Sequence, residues 1–153
     1  MILCQRIINN TISIIINLLK ILLMIKIPTK IEIRESPGKG LGVFAIEDIE
    51  EGEIIEECLF LTLPIQKGEV SSLFIDYRFN YPQSGEWTEQ VLVTGYGNYY
   101  NHSNQANAYW KDHPHIRAFQ FISNRKILKG EEIYVYYGDD GYWGDGRTHV
   151  NIL

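Results

Sequence analysis

The spacing of hydrophobic and polar positions changes several times along the chain, and each change marks an element. Residues 12–25 read Ile-Ser-Ile-Ile-Ile-Asn-Leu-Leu-Lys-Ile-Leu-Leu-Met-Ile and are strongly apolar. From Lys30 to Arg34 apolar and charged side chains alternate, the period-two pattern of a half-buried strand. Ser36-Pro-Gly-Lys-Gly40 breaks the pattern as a turn, and Leu41 to Ala45 resumes it as a second strand. Glu50-Glu-Gly52 turns the chain into a third strand, Glu53 to Leu61. Between residues 66 and 80, Val70, Phe74, Tyr77 and Phe79 fall roughly on one side of a helix, so this insert holds the one predicted helix. Tyr81 to Gly85 reads as a loop, and Val91–Val93 and Ala118–Ile122 as short strands. Lys129-Gly130 turns into a last strand, Glu132 to Tyr137. Alternation there sends Ile133, Val135 and Tyr137 to one face and Tyr134 and Tyr136 to the other. Many short strands, frequent turns and no internal repeat predict a mainly-β single domain.

Length and charge refine this. A chain of 153 residues can bury one core without metal or disulfide staples. Its two cysteines, Cys4 and Cys58, are far apart and form no CxxC, which supports neither a zinc site nor a disulfide framework. A reducing compartment, cytoplasmic or nuclear, is the default. Residues 1–27 carry Arg6, Lys20 and Lys26 and no acid, which leaves 11 basic and 19 acidic side chains on the rest. An acidic body repels phosphate backbones and attracts basic polypeptides. Direct nucleic-acid binding is therefore not expected, whereas a lysine-rich protein partner suits the charge as well as a plain solvated surface does.

Residues 1–27 admit three readings. As a membrane span or a signal they are poor, because Asn9, Asn10, Asn17 and Lys20 interrupt the run and no small-residue cleavage site follows. As an amphipathic helix they are the one stretch expected to touch a membrane. As an extension outside the working domain, they leave Met24 as a natural start. The domain boundaries expected are 1–27 for the extension, 28–138 for the domain and 139–153 for a short C-terminal segment.

Three clusters carry candidate chemistry. Gly38-Lys-Gly-Leu-Gly42 offers bare backbone to a ligand, although it also fits a plain β-turn and is not the GxGxxG of a dinucleotide fold. Gly95-Tyr-Gly-Asn-Tyr-Tyr-Asn-His-Ser-Asn-Gln-Ala-Asn107 sets polar groups among tyrosines, as a ligand-facing loop or a satisfied polar turn would. Lys129-Gly-Glu-Glu-Ile-Tyr-Val-Tyr-Tyr-Gly138 places tyrosines on a strand, where packing is the ordinary role. Asp112-His-Pro-His115 reads as a solvated turn rather than a metal site.

The order of the three clusters resembles the SET domain of protein-lysine methyltransferases. Leu41 to Gly52 resembles that family's opening strand pair. Asn101-His-Ser-Asn-Gln-Ala-Asn107 resembles its Asn-His-Ser-x-x-x-Asn signature, and Gly130-Glu-Glu-Ile133 followed by Tyr137 its final motif. The likeness runs from about Ile31 to Tyr137 and is strongest to the short single-domain SET proteins of bacteria and large viruses. It implies a β-clip-like fold of short curved sheets with a knot-like C-terminal crossing. It also implies S-adenosyl-L-methionine as cofactor and a protein lysine as substrate. By similarity, backbone groups of Lys39, Gly40, Leu41 and Gly42 hold the cofactor from one side and Asn101 and His102 from the other. His102 then acts through its backbone toward the adenine and not as a base. Tyr137 matches the catalytic tyrosine and Tyr99 a position lining the lysine channel. Trp143, with Tyr142, follows in place of the zinc segment that many members carry, as an aromatic cover on the cofactor or as ordinary packing.

The chemistry so implied is in-line displacement at a sulfonium, which needs no metal but needs a neutral amine. Neutralising a lysine of reference pKa about 10.4 at pH 7 costs roughly 4.6 kcal/mol. A like charge at about 4 Å supplies about 4 kcal/mol of that at an effective dielectric near 20, and burial acts in the same direction. Three departures stand out: Tyr136 replaces the family's usual Asp or Asn, Asn104 its usual cysteine, and no cysteine-rich zinc segment follows Tyr137. A catalytically silent SET-like module that binds a partner is the competing reading.

Overall fold

The structure, a computed structural model, describes residues 12–13, 25–63 and 76–138. Two curved sheets share one core. The first has four strands in the order β1-β2-β9-β6: β1 (Ile31–Ser36), β2 (Gly40–Ala45), β9 (Glu132–Val135) and β6 (Asn101–His102). The second has five in the order β4-β5-β3-β8-β7: β4 (Arg78–Tyr81), β5 (Glu89–Val93), β3 (Ile54–Thr62), β8 (Ala118–Ser123) and β7 (Ala108–Asp112).

Alternation explains most of these elements. β1 and β2 form an antiparallel hairpin from Ile31 opposite Ala45 to Ser36 opposite Gly40. Ile31, Val43 and Ala45 turn inward and are buried. On β8 the inward Phe119 and Phe121 are wholly buried, and aromatic rings collect around them. Tyr100 stacks on Phe121 at 4.6 Å, and Phe79 packs on Phe119 at 5.8 Å. The fully buried Tyr100, Phe119 and Phe121 are the largest side chains in the core.

The end of the predicted helix is a strand. Residues 78–80 belong to β4, antiparallel to β5 from Arg78 opposite Leu92 to Tyr81 opposite Glu89. Phe79 packs edge-on against Trp110 at 5.4 Å and Tyr81 against Phe60 at 4.8 Å, so the period of two between them governs. The earlier part of that predicted helix lies outside the described residues. So do most of residues 1–27 and all of 139–153, with Tyr142 and Trp143. No helix among the described residues is long and apolar enough to cross a membrane.

The sequence Asp112-His-Pro-His115 is not a solvated turn throughout. His113 is buried, with Nε2 3.2 Å from Glu57 Oε1. Its Nδ1 accepts the backbone N–H of His115 at 3.1 Å and of Ile116 at 3.3 Å. Gln120 Nε2 donates to the same Glu57 oxygen at 2.7 Å, and the backbone N–H of Lys26 donates to the other. Glu57 thus ties the start of the domain to the β7–β8 turn.

β9 is the crossing point. It runs antiparallel to β2, Val43 opposite Ile133, and parallel to β6, Asn101 opposite Tyr134 and His102 opposite Val135. The buried Asn107 secures it: Nδ2 donates to the Glu132 carbonyl at 2.9 Å, and Oδ1 accepts the Tyr134 N–H at 2.8 Å. Losing both bonds in a buried setting costs about 2–3 kcal/mol. Asn107→Ala is expected to lower unfolding free energy by that amount in urea titration; a loss under about 0.5 kcal/mol would remove Asn107 as the clamp.

Candidate functional site

The site forms where the first sheet brings the glycine turn, the Asn-His pair and the C-terminal tyrosines together. The turn closes with Lys39 N–H donating to the Ser36 carbonyl at 3.0 Å. Gly40 has φ +77, and a Cβ built there meets nothing within 4 Å. Its backbone is bare on that side. Gly42 is the opposite case: a Cβ there would lie 2.4 Å from Glu132 Oε1 and 2.9 Å from Asn101 Nδ2. Only glycine leaves room for the Asn101 side chain to cross to β2, where Nδ2 donates to the Leu41 carbonyl at 3.1 Å.

Lys39 spans the same gap by its side chain. Nζ donates to the His102 carbonyl at 2.9 Å and sits 4.5 Å over the Tyr134 ring. Thus Lys39, Gly40, Leu41, Gly42, Asn101 and His102, grouped by the resemblance, occupy one neighbourhood. His102 Nδ1 accepts the Tyr137 N–H at 3.0 Å, so Nε2 carries the ring proton and donates to Asn104 Oδ1, 3.0 Å away. With its Nδ1 lone pair engaged, the ring is a structural link.

Tyr137 reaches back to the preceding loop. Its hydroxyl donates to the Tyr100 carbonyl at 2.6 Å, and its ring lies 5.4 Å from His102. Tyr99 lies in the 3-10 turn Gly97–Tyr99, next to Tyr100, with its ring exposed. Trp143 is not among the described residues.

Two groups without an assigned role in the sequence matter here. Glu132 accepts hydrogen bonds from Asn101 Nδ2 at 2.8 Å, Ser36 Oγ at 2.8 Å and Tyr134 hydroxyl at 2.6 Å. Burial first, then this bond to Glu132, pushes the Tyr134 hydroxyl up to about 12. Glu56 lies beneath the tyrosine loop, fully buried, and Oε2 accepts the Tyr96 N–H at 3.4 Å. Among the described residues Glu56 Oε1, Asn98 Oδ1 and the Tyr100 hydroxyl are buried without a hydrogen-bond partner. Burial pushes the Glu56 carboxyl above its ordinary range, and burial and then Glu56's charge push the Tyr100 hydroxyl up. The signal for Glu132 was present in the alternation of the last strand, which sets it on the face of Tyr134. For Glu56 the only signal was an acid in an apolar strand.

The model of the SET domain family matches residues 40–138. A histone-lysine N-methyltransferase specific for H3 lysine-37 from Schizosaccharomyces pombe is 28% identical over 139 residues, covering 83% of this chain and 86% of that protein. One specific for H3 lysine-36 from Saccharomyces cerevisiae is 35% identical over 123 residues, 73% of this chain. The chain spans only 16% of the length of that second relative. A crystal structure of a candidate Plasmodium falciparum histone methyltransferase superposes with TM-score 0.61 at 33% identity, over 74% of this chain and 96% of that one.

Glu56 gives a pH dependence. An acid whose folded pKa is raised favours the folded state while protonated, and that contribution is lost as pH climbs from the ordinary carboxylate range through the raised value. Unfolding free energy from urea titration is expected to fall over that rise, and Glu56→Gln to flatten the fall. A variant with the wild-type slope would show that Glu56 is not its source.

Proposed function

The chain belongs to the SET-domain family, and from that membership we propose that it transfers methyl groups from S-adenosylmethionine to a lysine side chain of a basic protein. Histone H3, named for two of its relatives, is the first substrate to test. The observation that carries the reading is the double attachment of Tyr137: its backbone N–H to His102 Nδ1 and its hydroxyl to the Tyr100 carbonyl. One residue is fixed to both the Asn-His pair and the tyrosine loop. A silent binding module has no need of a tyrosine hydroxyl held in this way.

The donor set fits the cofactor. Bare backbone at Gly40, carbonyls at Leu41 and His102, and an amide oxygen on Asn101 with no partner among the described residues suit a ligand that bears an amino-acid group and an adenine. In this reading Lys39, Gly40, Leu41, Gly42, Asn101 and His102 hold it, and Trp143 covers it. When bound, the cofactor supplies a methyl group on a positively charged sulfur, open to in-line displacement by a neutral amine.

The protein's part is placement. Because the Tyr137 hydroxyl donates its proton to Tyr100, its oxygen presents lone pairs at a fixed point to orient an incoming amine. Holding reacting groups in line can be worth several kcal/mol, up to about 7–11 in well-oriented systems. An aromatic passage lined by Tyr99 and Tyr137 grips the aliphatic stem of lysine and excludes water. The acidic surface draws in a cationic chain.

Transfer of labelled methyl from S-adenosylmethionine into H3, with mass spectrometry of the modified residue, tests the activity. No transfer to H3 or to other basic proteins, together with no binding of the cofactor, would sink the reading. Tyr137→Phe is expected to cut turnover roughly 10- to 100-fold, about 1.4–2.7 kcal/mol of barrier, with cofactor affinity nearly unchanged. Undiminished turnover would exclude positioning by the hydroxyl.

A further inference from the structure

We propose that Glu132 is a positioning residue that makes the site selective for the amino-acid end of its ligand, acting through Asn101. The inference rests on the functional reading above. It starts from the convergence on one carboxylate of three donors from three parts of the chain: Ser36 at the end of β1, Asn101 on β6 and Tyr134 on β9. Side chains anchored from three directions have little freedom, and bonds to an ionised acceptor are the stronger kind.

The consequence falls on Asn101. An asparagine amide has a donating and an accepting end, and its partners decide which faces where. Here one end meets two acceptors, the Leu41 carbonyl at 3.1 Å and Glu132 Oε1 at 2.8 Å. That end must be the NH2 group. The oxygen is therefore turned away from β2, and among the described residues it accepts nothing. Leu41 alone offers a neutral acceptor at the longer distance. Glu132 adds the charge and the shorter bond, and its carboxylate is fixed one amide away from the free oxygen. An oriented acceptor backed by a negative charge is a site for an ammonium group. Gly42 belongs to the same device, since any side chain there would displace Glu132 or Asn101.

Asn101 is placed to take the cationic amino group of the ligand, and Glu132 supplies orientation and charge. An adenine nucleoside without that group gains nothing from Glu132. This separates positioning from general support of the fold. Binding of S-adenosylhomocysteine, which carries the amino-acid group, is compared with binding of 5′-methylthioadenosine, which lacks it. Calorimetry and ligand-observed NMR on the full chain report affinity without relying on turnover.

Glu132→Ala is expected to weaken S-adenosylhomocysteine binding about tenfold and to leave 5′-methylthioadenosine within about twofold. In an Asn101→Ala background the same substitution should cost little further, because its effect passes through the missing amide. Equal weakening of both ligands, or full additivity with Asn101→Ala, would overturn the inference. If Glu132→Ala does not fold, Glu132→Gln decides on the same comparison, with an expected three- to fivefold loss confined to S-adenosylhomocysteine. Wild-type protein that binds neither ligand would instead overturn the functional reading beneath it.

Discussion

A parallel pairing of two residues against two, Asn101 and His102 beside Tyr134 and Val135, holds the candidate site together. Such a short ladder is too small to stand alone. It persists because β9 is also pinned on its other edge by β2, and because Asn107 satisfies both a carbonyl and an amide of β9 from within the core. The β2–β9 pairing that supports it joins segments about ninety positions apart, Val43 opposite Ile133. Loop-closure entropy grows only slowly with length, about 0.6 kcal/mol per doubling. The cost is therefore met once, by burial of Val43, Ile133 and Val135.

The site lies on this crossing for a physical reason. Three strands that do not follow one another in sequence bring a turn, a polar pair and an aromatic end within a few ångströms. Side chains then bridge across β9 where backbone ladders cannot, Asn101 to Leu41 and Lys39 to His102, while Tyr137 ties the chain leaving β9 to Tyr100. Each bridge ends on a backbone carbonyl or leaves one group available. The arrangement is rigid where it holds the fold and open at Gly40, where no side chain intrudes.

Much of this was legible in the sequence because alternation is a local signal. Lys30 to Arg34, Leu41 to Ala45 and Ala118 to Ile122 announced their strands. Arg78 to Tyr81 did not, since a strand with two inward residues, Phe79 and Tyr81, also fits a helical stripe when Val70, Phe74 and Tyr77 precede it. β6 is two residues long and carries no periodicity at all. β7, Ala108 to Asp112, does alternate, yet it follows the polar run Ser103 to Asn107, which hides it. The glycine turn, Asn101-His102 and Tyr137 were informative only through their order along the chain. Glu132 was given no role and His113 was read as solvated for one reason: the partners that define a charged or titratable side chain beside a turn, here Asn101 and Glu57, lie 31 and 56 positions away.

Charge acts at two ranges in this molecule, with opposite demands. In the function proposed above, a cationic substrate is drawn in by the acidic excess of the body, a field felt over roughly a Debye length, about 8–10 Å in physiological salt. Transfer of a methyl group, however, requires that the same lysine arrive without its proton. A surface that attracted ammonium groups right up to the reacting centre would hold the amine in its unreactive form. The two demands are compatible only if negative charge near the centre is committed to partners other than the lysine. Glu132 is committed in this way. Glu132 has its lone pairs engaged by Ser36, Asn101 and Tyr134, and Lys39, 4.5 Å from the Tyr134 ring, adds a positive charge beyond it. Attraction is then set by the outer surface, while the inner negative charge serves the ligand's amino group through Asn101 and not the substrate lysine.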